Sequence, residues 1–271
     1  MTNATLSVLL FLSAAASPAY PQATQLDEGY RRMYNLEFDA AHVSVNEWER
    51  THPEDPLGPV SDAAAYLFAE FDRLHILQSE LFVRNESFLG RNKLTPDPVV
   101  KQKFEAALAR SRTLADKRLA RDPKDENSLF ACIMRFGLHA DYLALIEKRY
   151  LASLSDVKAG RQIAEQLLAK NAGYYDAYLA IGVENYMLSL KPAPVRWILR
   201  LGGAQTDKDE GIRKLKLTAE KGRYLMPYAR LLLAVAALRD HDRSGARSLL
   251  AYLSREFPRN PLYAEELSKL N

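Results

Sequence analysis

The stretch LMPYARLLLAVAALRDHDRSGARSLLAYLSREFP, residues 225–258, decides the fold. Its apolar residues recur at helical spacing on both sides of Arg239-Asp240-His241-Asp242, which predicts two helices, 225–239 and 243–257, joined by a tight turn. Ala234, Ala246 and Pro258 stand twelve residues apart. In an antiparallel helix pair the first position is where helix A meets helix B. The second is where B presses back on A, and the third is where the pair must stop. A small side chain lets two helix backbones approach, and proline ends the second helix. Gly29, Ala41 and Pro53 repeat the spacing near the other end of the chain. The chain therefore reads as a series of helix pairs, each unable to bury its apolar face alone.

Outward from that stretch the pattern stays helical. Helices are expected over 25–36 and 38–51, and a third begins at Ser61 as its N-cap. Residues 84–98, with Gly90, Asn92, Pro96 and Pro98, form an irregular loop. Helices follow over 99–121, 127–150 and 156–170, and another opens at Tyr174-Tyr175. Lys191-Pro192-Ala193-Pro194 breaks the pattern, and a short apolar-basic helix, 195–201, is stopped by Gly202-Gly203. A helix from Asp207 to Lys221 leads to the closing pair, and a last helix, 261–269, is placed to cap the stack. Twelve glycines in 271 residues and no Asn-Gly or Asp-Gly dipeptide agree with an all-α chain.

The small-small-proline skeleton within 34 residues resembles the tetratricopeptide-repeat (TPR) family, and Tyr178, Ile181 and Gly182 reproduce the spacing of that repeat's first helix. The resemblance spans roughly 26–60, 99–190 and 209–269. The repeat's opening tryptophan is absent, and the middle helices are longer than the 34-residue period allows. The resemblance implies a right-handed α-solenoid of stacked antiparallel helix pairs, its concave face lined by first helices. Some members clamp a peptide carboxylate with Lys and Asn on those helices. Here Leu179, Val183, Leu138 and Val235 occupy the comparable positions, so no such clamp is expected.

Leu6 to Ala16 is a short apolar run bounded by Ala, Ser and Pro, although no Lys or Arg precedes it. It reads as an export signal within 1–23, leaving one helical-repeat domain, 24–271, in a bacterial periplasm or outside the cell. No other stretch reads as long and apolar enough for a transmembrane helix. Cys132, the sole cysteine, sits in an apolar helical pattern and reads as a buried, inert thiol. The net charge of +3 is dispersed, with little aromatic interleaving, which disfavours nucleic-acid binding. Five scattered histidines form no metal-ligand spacing, and no phosphate-binding loop or nucleophile motif is present, so no cofactor and no catalytic residue is expected.

Two groups of residues remain as candidate partner-binding surfaces. Tyr174, Tyr175, Tyr178 and Tyr186, with Glu184 and Asn185, form a tyrosine-rich cluster; such rings either make contact hot spots or pack between helices. In the short helix, Arg196 and Arg200 share one face while Trp197 and Leu201 share another, as in helices that dock on membranes or partner grooves. The packed-connector role is the alternative for a helix this short. The expected function is an exported, non-enzymatic scaffold that binds a protein or peptide of unknown identity and organises an envelope complex. The alternatives are a helical-repeat protein or enzyme with a small-ligand pocket between helix pairs, and a peripheral membrane adaptor. A pocket holding a perturbed carboxylate would distinguish the ligand-binding alternative.

Overall fold

A computed structural model describes residues 23–77 and 94–270. Among the described residues there are twelve α-helices and no strand. They are α1 (Gln25–Tyr34), α2 (Phe38–Thr51), α3 (Leu57–Arg73), α4 (Pro98–Leu119), α5 (Glu126–Asp141) and α6 (Tyr150–Lys170). Then come α7 (Tyr178–Ser189), α8 (Ala193–Leu201), α9 (Lys208–Lys221), α10 (Met226–Arg239), α11 (Arg243–Glu256) and α12 (Pro261–Ser268). A π-helical turn, Tyr142–Ile146, extends α5, and a 3₁₀ turn, Tyr175–Ala177, leads into α7.

Local chemistry sets the helix ends. Thr24 caps α1 in a reciprocal capping box with Asp27, and Asp97, Asp125, Asp207 and Asp242 each accept a backbone N–H at the start of a helix. The expected loop at 84–98 falls mostly outside the described residues; its last part, 94–97, is irregular and ends in the Asp97 cap. Ser61 is not an N-cap. Helix α3 starts at Leu57, with Pro59 in its first turn, and Ser61 is buried inside it, donating to the Tyr30 hydroxyl at 3.1 Å. Proline is compatible with the first helical turn, whose N–H groups have no intrahelical partner.

Each helix packs on its sequence neighbour, except that α7 packs on α9 and leaves α8 to one side; α1 also meets α3, and α3 meets α5. The small residues do what their spacing predicts. A Cβ on Gly29 would lie 2.9 Å from the Val45 side chain and 3.6 Å from the Ala41 carbonyl, and Ala41, Ala234 and Ala246 are fully buried. At the α7–α9 crossing a Cβ on Gly211 would fall 2.6 Å from the Tyr186 backbone nitrogen, so only glycine allows that approach.

Helix α12 packs on α11. The turns before α10 and before α12 meet the chain's first helix and the turn that follows it. Tyr34 donates to the Tyr224 carbonyl at 2.9 Å, and Arg223 forms a bidentate pair with Asp27 at 2.7 Å. Asn260 donates to the Tyr34 carbonyl, and Arg259 pairs with Glu37. Residues some 190–226 positions apart thus meet.

One segment corrects the transmembrane expectation. Glu126–Ile146 is helical throughout and long and apolar enough to cross a bilayer, with a mean hydropathy of 1.5. Its apolar window is 61% buried, with Phe130, Ala131 and Ile146 fully enclosed, so its hydrophobicity serves the core of this fold. Cys132 lies on the same helix, buried, and burial pushes its thiol above the ordinary range.

Candidate functional site

Where the returning C-terminal segment meets α1, the inner helices surround a pocket with a free volume of about 90 Å³. That is room for several waters or a small organic group. Helix α1 supplies Tyr30, Met33 and Tyr34, and α3 supplies Ala64 and Phe68. Helix α5 contributes Ile133, Gly137 and Asp141, successive i, i+4 positions along one stripe, and α10 contributes Tyr228. Gly137 both lines the pocket and is exposed, which marks the side on which it opens; a Cβ there would meet nothing within 4 Å.

The pocket is apolar and aromatic, and its ionisable side chains are all acidic: Asp141, Asp156 and Asp176, with no Lys or Arg. The three differ in what satisfies them. Asp176 accepts backbone N–H groups from Arg223 (2.9 Å), Tyr224 (3.1 Å) and Leu225 (2.8 Å), so it braces the turn that closes against α1. Burial raises its carboxyl even against those bonds. Asp156 lies 2.6 Å from His139 Nδ1. Asp141 has only a long bond, from the Tyr228 hydroxyl at 3.4 Å, well beyond the usual O–H···O distance. Asp141 is partly buried and lines the pocket. Desolvation pushes its carboxyl up from 3.8 to about 7. Tyr228 is pushed well above its ordinary value, first by burial and then by the neighbouring Asp141; its ring stands edge-on to Phe68 at 5.7 Å.

This raised carboxyl stands against an aromatic wall. With Asp141 ionised the pocket suits a group bearing positive charge or strong hydrogen-bond donors; protonated, it suits a neutral molecule. Three acids and no basic side chain disfavour anions. Among the described residues no three His, Cys, Asp or Glu side chains cluster as a metal site would require.

The residues singled out in the sequence lie elsewhere and divide into two kinds. Glu184, Asn185 and Tyr186 are buried, so the expected surface cluster loses them: helical spacing places these three against α9 and the segment leading into it. Glu184 Oε2 sits 2.7 Å from Arg161 Nε, an ion pair at a poor hydrogen-bonding angle, and Glu184 Oε1 accepts from the Gln205 backbone. Asn185 accepts from the Asp207 backbone and donates to Gln205 Oε1 at 2.8 Å. Burial raises Tyr186 to about 12, and its hydroxyl has no partner. Tyr174 is partly buried against Phe130, with ring centroids 5.0 Å apart. Tyr175 and Tyr178 stay partly exposed, overlain by Lys221 and Lys214 at 5.1 and 5.0 Å. Arg196, Trp197 and Arg200 are on α8 and are not among the residues that line the pocket.

Asp141 was not singled out as a site. Its signal was a carboxylate at an otherwise apolar helical stripe position four residues after a glycine. His139 and Asp141, two apart on α5, face different ways as helical geometry requires, one to Asp156 and one to Tyr228. Compared with known proteins, the chain matches no family model, no curated protein and no solved structure.

Proposed function

We propose that this chain is a TPR-like array of helix pairs that binds a small, largely apolar molecule carrying an ammonium or similar donor group. The observation that carries the proposal is Asp141: a loosely bonded carboxyl, raised by burial, in an aromatic pocket with no Lys or Arg among its lining residues. Ionised Asp141 pairs with the cation while the faces of Tyr30, Tyr34 and Phe68 cover the apolar part. The contacts of α1 with α3 and α3 with α5 support the solenoid reading, here wound until its first helix meets its last segments. The role is binding, without chemical conversion of the ligand. Export through residues 1–23 belongs to the same proposal and places the ligand outside the cytoplasm.

The test is calorimetric titration with benzylamine, benzyl alcohol and benzoate. Benzylamine should bind, benzoate should not, and Gly137→Leu, which fills open space in the pocket, should abolish binding. If only ionised Asp141 takes the cation, the benzylamine affinity should rise about tenfold from pH 6 to pH 8, following the ionised fraction of a group near 7. Equal binding of amine and carboxylate, or binding untouched by Gly137→Leu, would refute the proposal.

A further inference from the structure

Helices α7 and α9 pack directly on one another, yet the segment between them leaves the stack, forms α8 and returns. No residue of α8 is buried. From Lys191 to Gly203 every residue is exposed except Arg196 and Leu199, which are partly covered. Trp197, Ile198 and Leu201 keep 64%, 62% and 70% of their surface in solvent. A loose segment of this composition would be expected to turn its apolar side inward.

The structure prevents that. Arg196 donates to the Ser189 and Lys191 carbonyls, and Arg200 Nε to the Thr206 hydroxyl at 2.6 Å. From α6, Lys158 and Arg161 donate to the Gly202 and Gly203 carbonyls. Gly203 takes φ = 81°, a left-handed turn that directs the chain back. Buried Glu184 and Asn185 then hold the backbone at Gln205 and Asp207. The excursion is tied at its ends and along its inner side, with the apolar side out.

Helical geometry spreads Trp197, Leu201 and Ile198 over one arc of about 100°, and places Arg196 and Arg200 on its Trp197 flank. From Lys191 to Thr206 there are three cations and no carboxylate. Arg196 and Arg200 bond to carbonyl and hydroxyl oxygens, so these bonds leave their charge uncompensated. The apolar patch is on the order of a few hundred Å². That falls short of the ~1,200 Å² of a stable protein interface, and it projects from the surface instead of forming a groove. Nine residues, about 14 Å of helix, cannot span a bilayer but can lie in its interface. An amphipathic tryptophan flanked by arginines is suited to headgroup depth.

We propose that α8 docks the protein on an anionic lipid bilayer, lying flat with Trp197, Ile198 and Leu201 at headgroup depth and Arg196 and Arg200 facing lipid phosphates. This is independent of the pocket and of its ligand.

The experiment uses the full chain carrying Trp48→Phe, which leaves Trp197 as the sole tryptophan. Its emission is followed as vesicles of equal phosphatidylglycerol and phosphatidylcholine, or of phosphatidylcholine alone, are added. The expected result is a blue shift with the anionic vesicles at about 0.05 M salt, largely reversed at about 0.5 M salt. Leu201→Glu should lower partitioning at least tenfold while leaving the helical circular dichroism unchanged. An unshifted Trp197 would overturn the proposal, even if the protein reached the vesicles by another segment. A shift that follows protein concentration without lipid would assign the face to a second copy and overturn it equally.

Discussion

Replacing Asp141 by asparagine should change the pH dependence of stability in a calculable way. In the native protein the carboxyl titrates at about 7, against 3.8 for an ordinary aspartate such as that of the unfolded chain. Between those values the unfolded chain has released a proton that the native state retains. The native state binds more protons there, so its stability falls as pH rises, and the fall ends above pH 7. The slope approaches 1.4 kcal/mol per pH unit, so from pH 5 to pH 8 the wild type should lose roughly 3 kcal/mol from this group. Asparagine cannot ionise and occupies nearly the same volume beside Tyr228. The stability difference between Asp141→Asn and wild type should therefore shift by roughly 3 kcal/mol in the variant's favour across that interval. Urea denaturation at unit pH steps, with paired midpoints and slopes, measures this, and subtracting the two curves cancels every other titrating group. A difference that stays constant from pH 5 to pH 8 would show that Asp141 is solvated, and the case for the pocket would fall with it.

Two glycine-to-alanine changes should act in opposite directions. Gly137→Ala places a methyl in open space within a helix and should stabilise by about 0.5–1 kcal/mol. Gly211→Ala drives a Cβ into the α7 backbone and should destabilise by roughly 1–3 kcal/mol despite its better helix propensity; thermal melts of both variants decide it. Tyr34→Phe removes the hydrogen bond to the Tyr224 carbonyl and should cost about 1 kcal/mol, seen as a lower urea midpoint at unchanged slope. Cys132 should react with a thiol reagent only as fast as the protein opens; a rapid stoichiometric reaction in native buffer would contradict its burial.

Glu184 and Asn185 on α7 are tied to the segment that follows α8. Glu184, Asn185 and Arg161 fix the far side of the excursion whose outer face carries Trp197. Truncating Glu184 is therefore expected to disturb membrane docking by releasing α8, with no direct contact to lipid.

Most of the helices, and the pairing of α1 with α2 and of α10 with α11, were legible in the sequence. Apolar periodicity, Asp and Thr caps, and glycine and proline punctuation act within a few residues, so α2, α9 and the α10–α11 pair lie where those signals stand. The small-small spacing likewise marked the close approach of α1 and α2 at Gly29 and the buried alanines of the α10–α11 pair, because contact between sequential helices follows from their shared turn. Ser61 misled because serine favours caps, whereas Pro59 fits a helix already begun at Leu57. The packed chain settles which tyrosines are covered, that turns of the C-terminal part meet α1, and that an acid faces an aromatic pocket. Tyr34 meets Tyr224, and Asp141 meets Tyr228, through the packing of the helices between them, to which every turn and crossing contributes. Local signals specify those contributions one at a time, and their sum exists only once the whole chain has packed.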